Sequence, residues 1–420
     1  MPPSASCSNG CKTAGSQRLS WPSATSKERG GSTVFLKAVP EPNPVALDIA
    51  RERDVERKRG FVRGPLHDIP FLVKNNIATK DKMQTTAGST MLIGSEVPGD
   101  AHVVKLLREA GAVLLGHANM SEWASMRATY YAVGYLSRGG QNRNPYNLAE
   151  HPGDSSSGPA TAVASNMCAF SLGTETDSSM ILPADRNAVV VAKPRTSTGT
   201  KLTEYRRDFT SQILGRDALK RAQFGMPWKR VWERASSNEL VRTQYLALHN
   251  LVVKRLQDFG AEVINVEIPS ASRWCLKMAD GIVDFYNDIK KYLAGLVVNP
   301  HKFRSLEDVI QFNIKHTERE GGVPGTHPAW PTGQDSFDRS QAVMGVGDET
   351  CKSALESIRR KTRDEGIDAA LNYDGGLLDG LLVPVQADDD LYRKRKLTDF
   401  CTGYPMITIL VDVGDDGEPN

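Results

Sequence analysis

Between residues 64 and 116 the chain runs strand, helix, strand, and this stretch constrains the fold more than any other. A turn at Gly64-Pro65 leads into the apolar run Ile69–Val73, which predicts a buried strand ending at Lys74. Asp100 can cap a helix that continues to Ala110, with Val103, Val104, Leu106 and Leu107 as its inner face and Gly111 as its stop. Ala112–Gly116 then reads as a second short buried strand. Elements in this order bury their apolar surfaces as α/β layers, a sheet covered by helices.

The rest of the chain fits a globular protein of one large domain or two. Of 420 residues, 40% are hydrophobic and 24% charged, with 52 basic against 50 acidic residues. A formal charge of +2 leaves no field of one sign, which argues against a nucleic-acid or membrane-surface partner. No apolar run approaches the roughly 20 residues a membrane-spanning helix needs. Residues 1–32 are Ser/Gly/Lys-rich, lack an apolar signal core and read as a disordered tail, leaving the cytoplasm as the expected compartment. Of six cysteines, Cys7 and Cys11 lie in the polar tail and the other four are scattered singly, which does not resemble a disulfide framework. The histidines show no metal-ligand spacing, so no metal or other cofactor is expected.

Pro44–Arg59 predicts a helix stopped by Gly60, and Ala160–Leu172 a buried one. Val189–Ala192 reads as a strand. A longer helix is expected over Ser236–Phe259, opened by a capping-box pattern at Ser236 and Glu239. Ala261–Ile268, Leu381–Val385 and Met406–Val413 read as further strands, the last two forming a late group over 381–413. Residues 33–420 are expected to form one domain, with a core at about 60–195 and a less regular, mostly helical second half at about 210–375.

Three polar features bear chemistry. Lys74 ends an apolar strand, and burial there disfavours its ammonium form. The loop PGDSSSG at 152–158 sets Ser155, Ser156 and Ser157 between glycines. A second loop, GTETDSSMILPA at 173–184, holds Ser178 and Ser179 before an apolar-Pro-Ala segment. A serine hydroxyl needs a base to become a nucleophile, and a desolvated lysine can be that base. Each feature alone also fits a bland reading: a strand terminator, a polar surface loop, a chance serine pair.

Taken together the motifs are less ambiguous. The order GPLHDIPFLVKNNIATKDKMQTTAGS, HANMSEWA, SRGGQNRNPYN, PGDSSSGPA, SLGTETDSSMILPADRNAVV and AKP resembles the amidase signature family, its fungal branch above all, over about residues 60–195. The resemblance implies a large twisted mixed β-sheet flanked by helices on both faces. It implies an amide hydrolase working through an acyl-enzyme, with Lys74 as base, Ser155 as relay after a cis peptide bond and Ser179 as nucleophile. Ser155 and Ser179 stand 24 residues apart, as the family pattern requires. Backbone amides of Thr176, Asp177 and Ser178 would hold the oxyanion, and Ser155 and Ala124 would line the substrate site. The implied substrate is a small-molecule amide, in small-molecule or secondary metabolism, with no cofactor. A homodimer is left open.

The sequence also departs from that pattern. Asp154 stands where the family has glycine before the relay serine, Ser178 where it has glycine before the nucleophile, and Pro159 where it has a small residue. After Lys193-Pro194 several dozen family residues are expected to be missing, and the family continues past Asn420 with a Gly-rich segment and a closing helix. Three readings follow: an active amidase, a catalytically impaired relative or incomplete gene product, and an amidotransferase subunit that hands ammonia to a partner. The fungal-type motifs argue against the third.

Overall fold

The computed structural model describes residues 35–176, 178–193, 216–233, 242–270, 279–344, 348–384 and 404–408. The chain divides into two compact units, one taking in residues up to Val191 together with Gly281–Val346, the other Ala192–Asp280 and Gly347 onward. Asp177, Ser236, Glu239, Val385 and residues 409–413 of the last expected strand fall outside the described residues.

In the first unit β1 (Glu41–Pro42) and α1 (Ala46–Lys58) precede β2 (Pro70–Lys74). α2 (His102–Glu109), β3 (Val113–Ala118), α3 (Ser157–Ala164), β4 (Phe170–Leu172) and α4 (Ile181–Arg186) follow. The strands form one sheet in the order β1-β3-β2-β4. β2 runs parallel to both β3 and β4, and β1 is antiparallel at the edge. Every residue of β2 and β3 is buried, as expected of parallel strands covered on both faces.

Alternation divides the two faces. Leu72, Val113, Leu115 and Ala118 pack with Ala46 and Ala50 of α1 and Ala162 of α3. Phe71, Val73 and Leu114 turn the other way, towards Val104 of α2 and Met83. Phe71 also stacks on Phe170 of β4 at 5.4 Å between ring centres. The strand–helix–strand expectation therefore holds, with two adjustments. Only Val104 and Leu107 of α2 face inward, whereas Val103 and Leu106 are 42% and 47% exposed. These pairs lie three residues apart on adjoining stripes of one helix, and apolar character alone does not say which stripe meets the sheet. Asp100 does not cap α2. Its carboxylate accepts from the Lys80 backbone N–H at 2.7 Å, and Ala101 takes the capping position without a side-chain bond.

The expected helix at 160–172 starts earlier and ends sooner. α3 closes at Ser165, Asn166 turns left-handed with φ of 54°, and the chain re-enters the sheet as β4. Pro159 fits because it occupies the first turn of α3, where a backbone N–H has no intrahelical acceptor to lose.

A second helical layer of this unit contains α5 (Ala279–Gly295), α6 (Leu306–Lys315) and α7 (Asp335–Ala342). Ile289, Leu293, Leu306, Val309 and Phe337 enclose Trp123 and Met91 there. Ser305 and Asp308 form a reciprocal capping box at the start of α6.

In the second unit Gly380–Leu381, Gln223–Pro227 and Glu262–Val266 form a three-stranded parallel sheet in that order. A helix spans Arg242–Asp258. The strand expected at Val189–Ala192 is observed as Ala192–Lys193, paired antiparallel with Met406–Ile407. Among the described residues no helix is long and apolar enough to cross a membrane.

One close approach ties α3 to the end of β3. Gly158 donates to the Asn119 carbonyl at 3.1 Å, and a Cβ on Gly158 would lie 2.3 Å from the Asn119 nitrogen. Backbone cannot yield there as a side chain would. Gly158→Ala is expected to destabilise the protein by about 1–3 kcal/mol, the range for overpacking. Urea unfolding checks this; an unchanged midpoint would mean that the approach is looser than it looks.

Candidate active site

Because β2, β3 and β4 run parallel, their carboxyl ends at Lys74, Ala118 and Leu172 open on the same edge of the sheet. In α/β sheets this edge is where ligands bind. Three loops converge there: residues 119–135 after β3, 152–156 before α3, and 173–180 after β4.

Lys74 is fully buried. Its Nζ donates to Ser155 Oγ at 2.7 Å and to the Thr174 carbonyl at 3.2 Å. Loss of water lowers its pKa to about 7, against the opposing pull of the Asp154 and Glu175 carboxylates. Ser155 is also fully buried and follows a cis peptide bond with Asp154. Its Oγ donates to Ser179 Oγ at 3.0 Å. Lys74, Ser155 and Ser179 thus form one continuous hydrogen-bonded line.

The two serine loops are laced together at their backbones. Ser156 N–H donates to the Ser179 carbonyl at 3.0 Å, and Ser156 Oγ donates to the Thr174 carbonyl at 3.1 Å. Asn76, two residues past Lys74, donates to Thr174 Oγ1 at 3.0 Å. Gly153 has φ of 83°, and a Cβ on it would lie 2.5 Å from the Pro183 Cα, so this corner requires glycine. Glu175 bridges the second loop to α4 by accepting from the N–H groups of Met180 and Ile181, the latter at 2.9 Å.

The remaining expected site residues take distinct places. Thr176 is exposed on the turn before Ser179. Ser178 lies next to Ser179 with φ of 60°, the left-handed region that favours glycine. Asp177 lies outside the described residues. Ala124 sits on the loop after β3 with φ of 52°, its N–H bonded to the Ser121 carbonyl. Ser121 N–H in turn donates to the Ser155 carbonyl at 3.1 Å, so this loop lies directly on the Asp154-Ser155 segment.

Asp154 behaves differently from what its place in the motif suggests. Its φ is not positive, so the backbone makes no demand for glycine. Its carboxylate turns to the loop after β3, accepting from Ser125 Oγ at 2.6 Å and from the Tyr131 hydroxyl. That loop is anchored in turn by a buried ionic cluster. Arg127 pairs with Glu122 and, at 3.5 Å, with Glu320, and lies 3.8 Å over the Trp330 ring. Burial and the charge of Glu320 push the Glu122 carboxyl up. Ser137 N–H donates to Glu122 and Thr90 N–H to Glu320, both at 2.9 Å.

The sequence alone gives Asn76, Ser125, Tyr131, Thr174 and Glu175 no role, and it marks Ser156 as one of three serines between glycines. A cavity of about 170 Å³ opens behind the serine loop, lined by Ser156, Ala160, Phe170, Gly173 and Met180 among others. Lys74, Ser155 and Ser179 are not among the residues that line it.

Known proteins are similar to this chain in sequence and in fold. The Amidase family model matches residues 36–205. A protein of Schizosaccharomyces pombe described as an amidase is 42% identical, over 92% of this chain and 75% of its own length. An Arabidopsis thaliana protein of the same description is 36% identical, over 79% and 70%. The native peptide amidase of Stenotrophomonas maltophilia superposes with a TM-score of 0.77 at 30% identity, over 96% of this chain and 88% of that one. The chain belongs to the amidase signature family, hydrolases that act on C–N bonds. The alignment with the yeast relative spans 450 positions yet takes in 92% of a 420-residue chain. This chain therefore lacks several dozen residues that the relative carries inside the aligned span.

Ser178 generates a direct expectation. A side chain at φ of 60° costs about 1 kcal/mol that glycine avoids. Ser178→Gly is expected to raise the unfolding midpoint and to leave or increase activity. A lower midpoint would mean that the Ser178 side chain makes contacts worth more than the backbone gains.

Proposed function

We propose that this protein is an amide hydrolase in which Lys74, Ser155 and Ser179 act as base, relay and nucleophile. The observation that carries the reading is the unbroken line from Lys74 Nζ through Ser155 Oγ to Ser179 Oγ, at 2.7 and 3.0 Å, with the lysine at the dry end. With a pKa of about 7, a large share of Lys74 is uncharged near neutrality. The uncharged amine has a lone pair for the Ser155 proton and keeps an N–H for the Thr174 carbonyl.

Catalysis then runs by reversing the direction of both hydrogen bonds. Ser155 gives its proton to Lys74 and takes one from Ser179, whose oxygen attacks the amide carbonyl. Amides of the Thr176–Ser179 turn stabilise the oxyanion; one such donor is worth about 10²–10³ in rate. The proton returns through Ser155 to the leaving nitrogen, releasing ammonia or an amine. Water attacks the acyl-enzyme by the same relay and frees the carboxylate. The substrate in this reading is a small-molecule amide, and the similarity to a peptide amidase makes short peptide amides the first compounds to try. Scattered cysteines suit a reducing compartment, and the cytoplasm is part of the proposal.

A second reading, a catalytically impaired relative, is favoured by the left-handed Ser178 beside the nucleophile and by the residues missing inside the aligned span. A fluorophosphonate probe separates the two. The active reading expects stoichiometric labelling of the folded protein and none of Ser179→Ala. Folded protein that takes no label would sink the active reading in favour of the impaired one.

A further inference from the structure

The Asp154 side chain leaves the serine loop for the loop after β3, where Ser125 and Tyr131 hold it. We propose that Asp154 is a positioning residue, its carboxylate tethering the relay serine to the 121–131 loop while holding a fixed negative charge beside Lys74. The inference rests on the roles proposed above for Lys74, Ser155 and Ser179.

The geometry supplies the grip directly and sets the charge one residue from the serine that Lys74 bonds. Ser155 is the next residue along the chain, so whatever fixes Asp154 fixes the start of the relay. Three bonds from one loop grip this dipeptide. Ser125 Oγ donates to one carboxylate oxygen of Asp154 at 2.6 Å, the Tyr131 hydroxyl donates to the other, and Ser121 N–H donates to the Ser155 carbonyl at 3.1 Å. The loop supplying them is itself immobilised by the Glu122–Arg127–Glu320 cluster in a fully buried setting. A misplacement of about 1 Å near reacting atoms can cost on the order of 100-fold in rate, so such a grip has consequences for turnover.

The charge matters separately from the grip. Two negative groups act on Lys74, Asp154 more strongly than Glu175, and both favour its ammonium form against burial. Glu175 stands on the loop after β4, its carboxylate taking the Met180 and Ile181 amides. Asp154 stands on the loop before α3, next in the chain to Ser155, whose Oγ accepts from Lys74 Nζ. Removing the Asp154 charge therefore lowers the Lys74 pKa further, and the base becomes available at lower pH.

Rates of fluorophosphonate labelling measured from pH 5 to 9 test this in the full chain. Asp154→Asn keeps the size of the side chain, loses the charge and retains one acceptor. It is expected to move the acid limb of the profile to lower pH and to reduce the plateau roughly ten-fold. Ser125→Ala and Tyr131→Phe loosen the grip but keep the charge, so each is expected to lower the plateau with the limb unmoved. A purely structural Asp154 would change the plateau or the unfolding midpoint and leave the limb where it was. That result in Asp154→Asn, or a profile superimposable on wild type, overturns the inference. Labelling of the wild type that persists in Ser179→Ala would instead overturn the roles on which it rests.

Discussion

An ammonium group taken out of water is unstable, and the first unit is organised around one. Lys74 ends a strand whose five residues are all buried, between two parallel neighbours. Full burial leaves Lys74 a hydroxyl, a carbonyl and two nearby carboxylates in place of water. Desolvation outweighs both carboxylates, and the balance falls near neutrality. Had the strand ended one residue earlier in solvent, the same lysine would be a permanent cation with no use as a base.

The other parts of the unit serve to keep that end of the sheet dry and in register. Faces of β2 and β3 are closed by α1 and α3 on one side and α2 on the other. Gly158 lets α3 press onto the end of β3, which sets the serine loop above Lys74. Gly153 lets the same loop turn against Pro183 of α4, which brings Ser179 within reach of Ser155. Farther out, the cluster of Arg127 with Glu122 and Glu320 fixes the loop that holds Asp154. Such a buried cluster is costly to break on one side, because the remaining charge is left unpaired.

Some of this was legible in the sequence and some was not, for identifiable reasons. The strand–helix–strand layering was readable because continuous apolar runs of five residues between turn signals have few other fates. Lys74 was readable as a strand end. Its full burial was not, because that depends on Ser155 and Thr174, 81 and 100 residues away. The pairing of Ser155 with Ser179 came from resemblance to a family and not from the residues, since their approach needs α3, β4 and α4 to fold first. The apolar pattern alone overdraws the inner face of α2: four apolar residues cover more than one stripe, and only packing selects Val104 and Leu107. By sequence alone Asp154 is a misfit in a glycine position. Its partners Ser125 and Tyr131 lie 29 and 23 residues away in a loop without periodicity, so nothing local announced them. Ser178 was visible as a departure, and the structure adds why glycine suits the place, a φ of 60°.

The account depends most on the protonation of Lys74, and that can be measured without any substrate. Selective isotopic labelling of lysine side chains, with Lys74→Met to assign the signal, allows its titration to be followed by NMR in the folded protein. A midpoint near 7 is the predicted result, with the amine uncharged above it. A midpoint close to the ordinary lysine value of 10.5 would contradict the account, because Lys74 would then remain an ammonium and could not serve as the base.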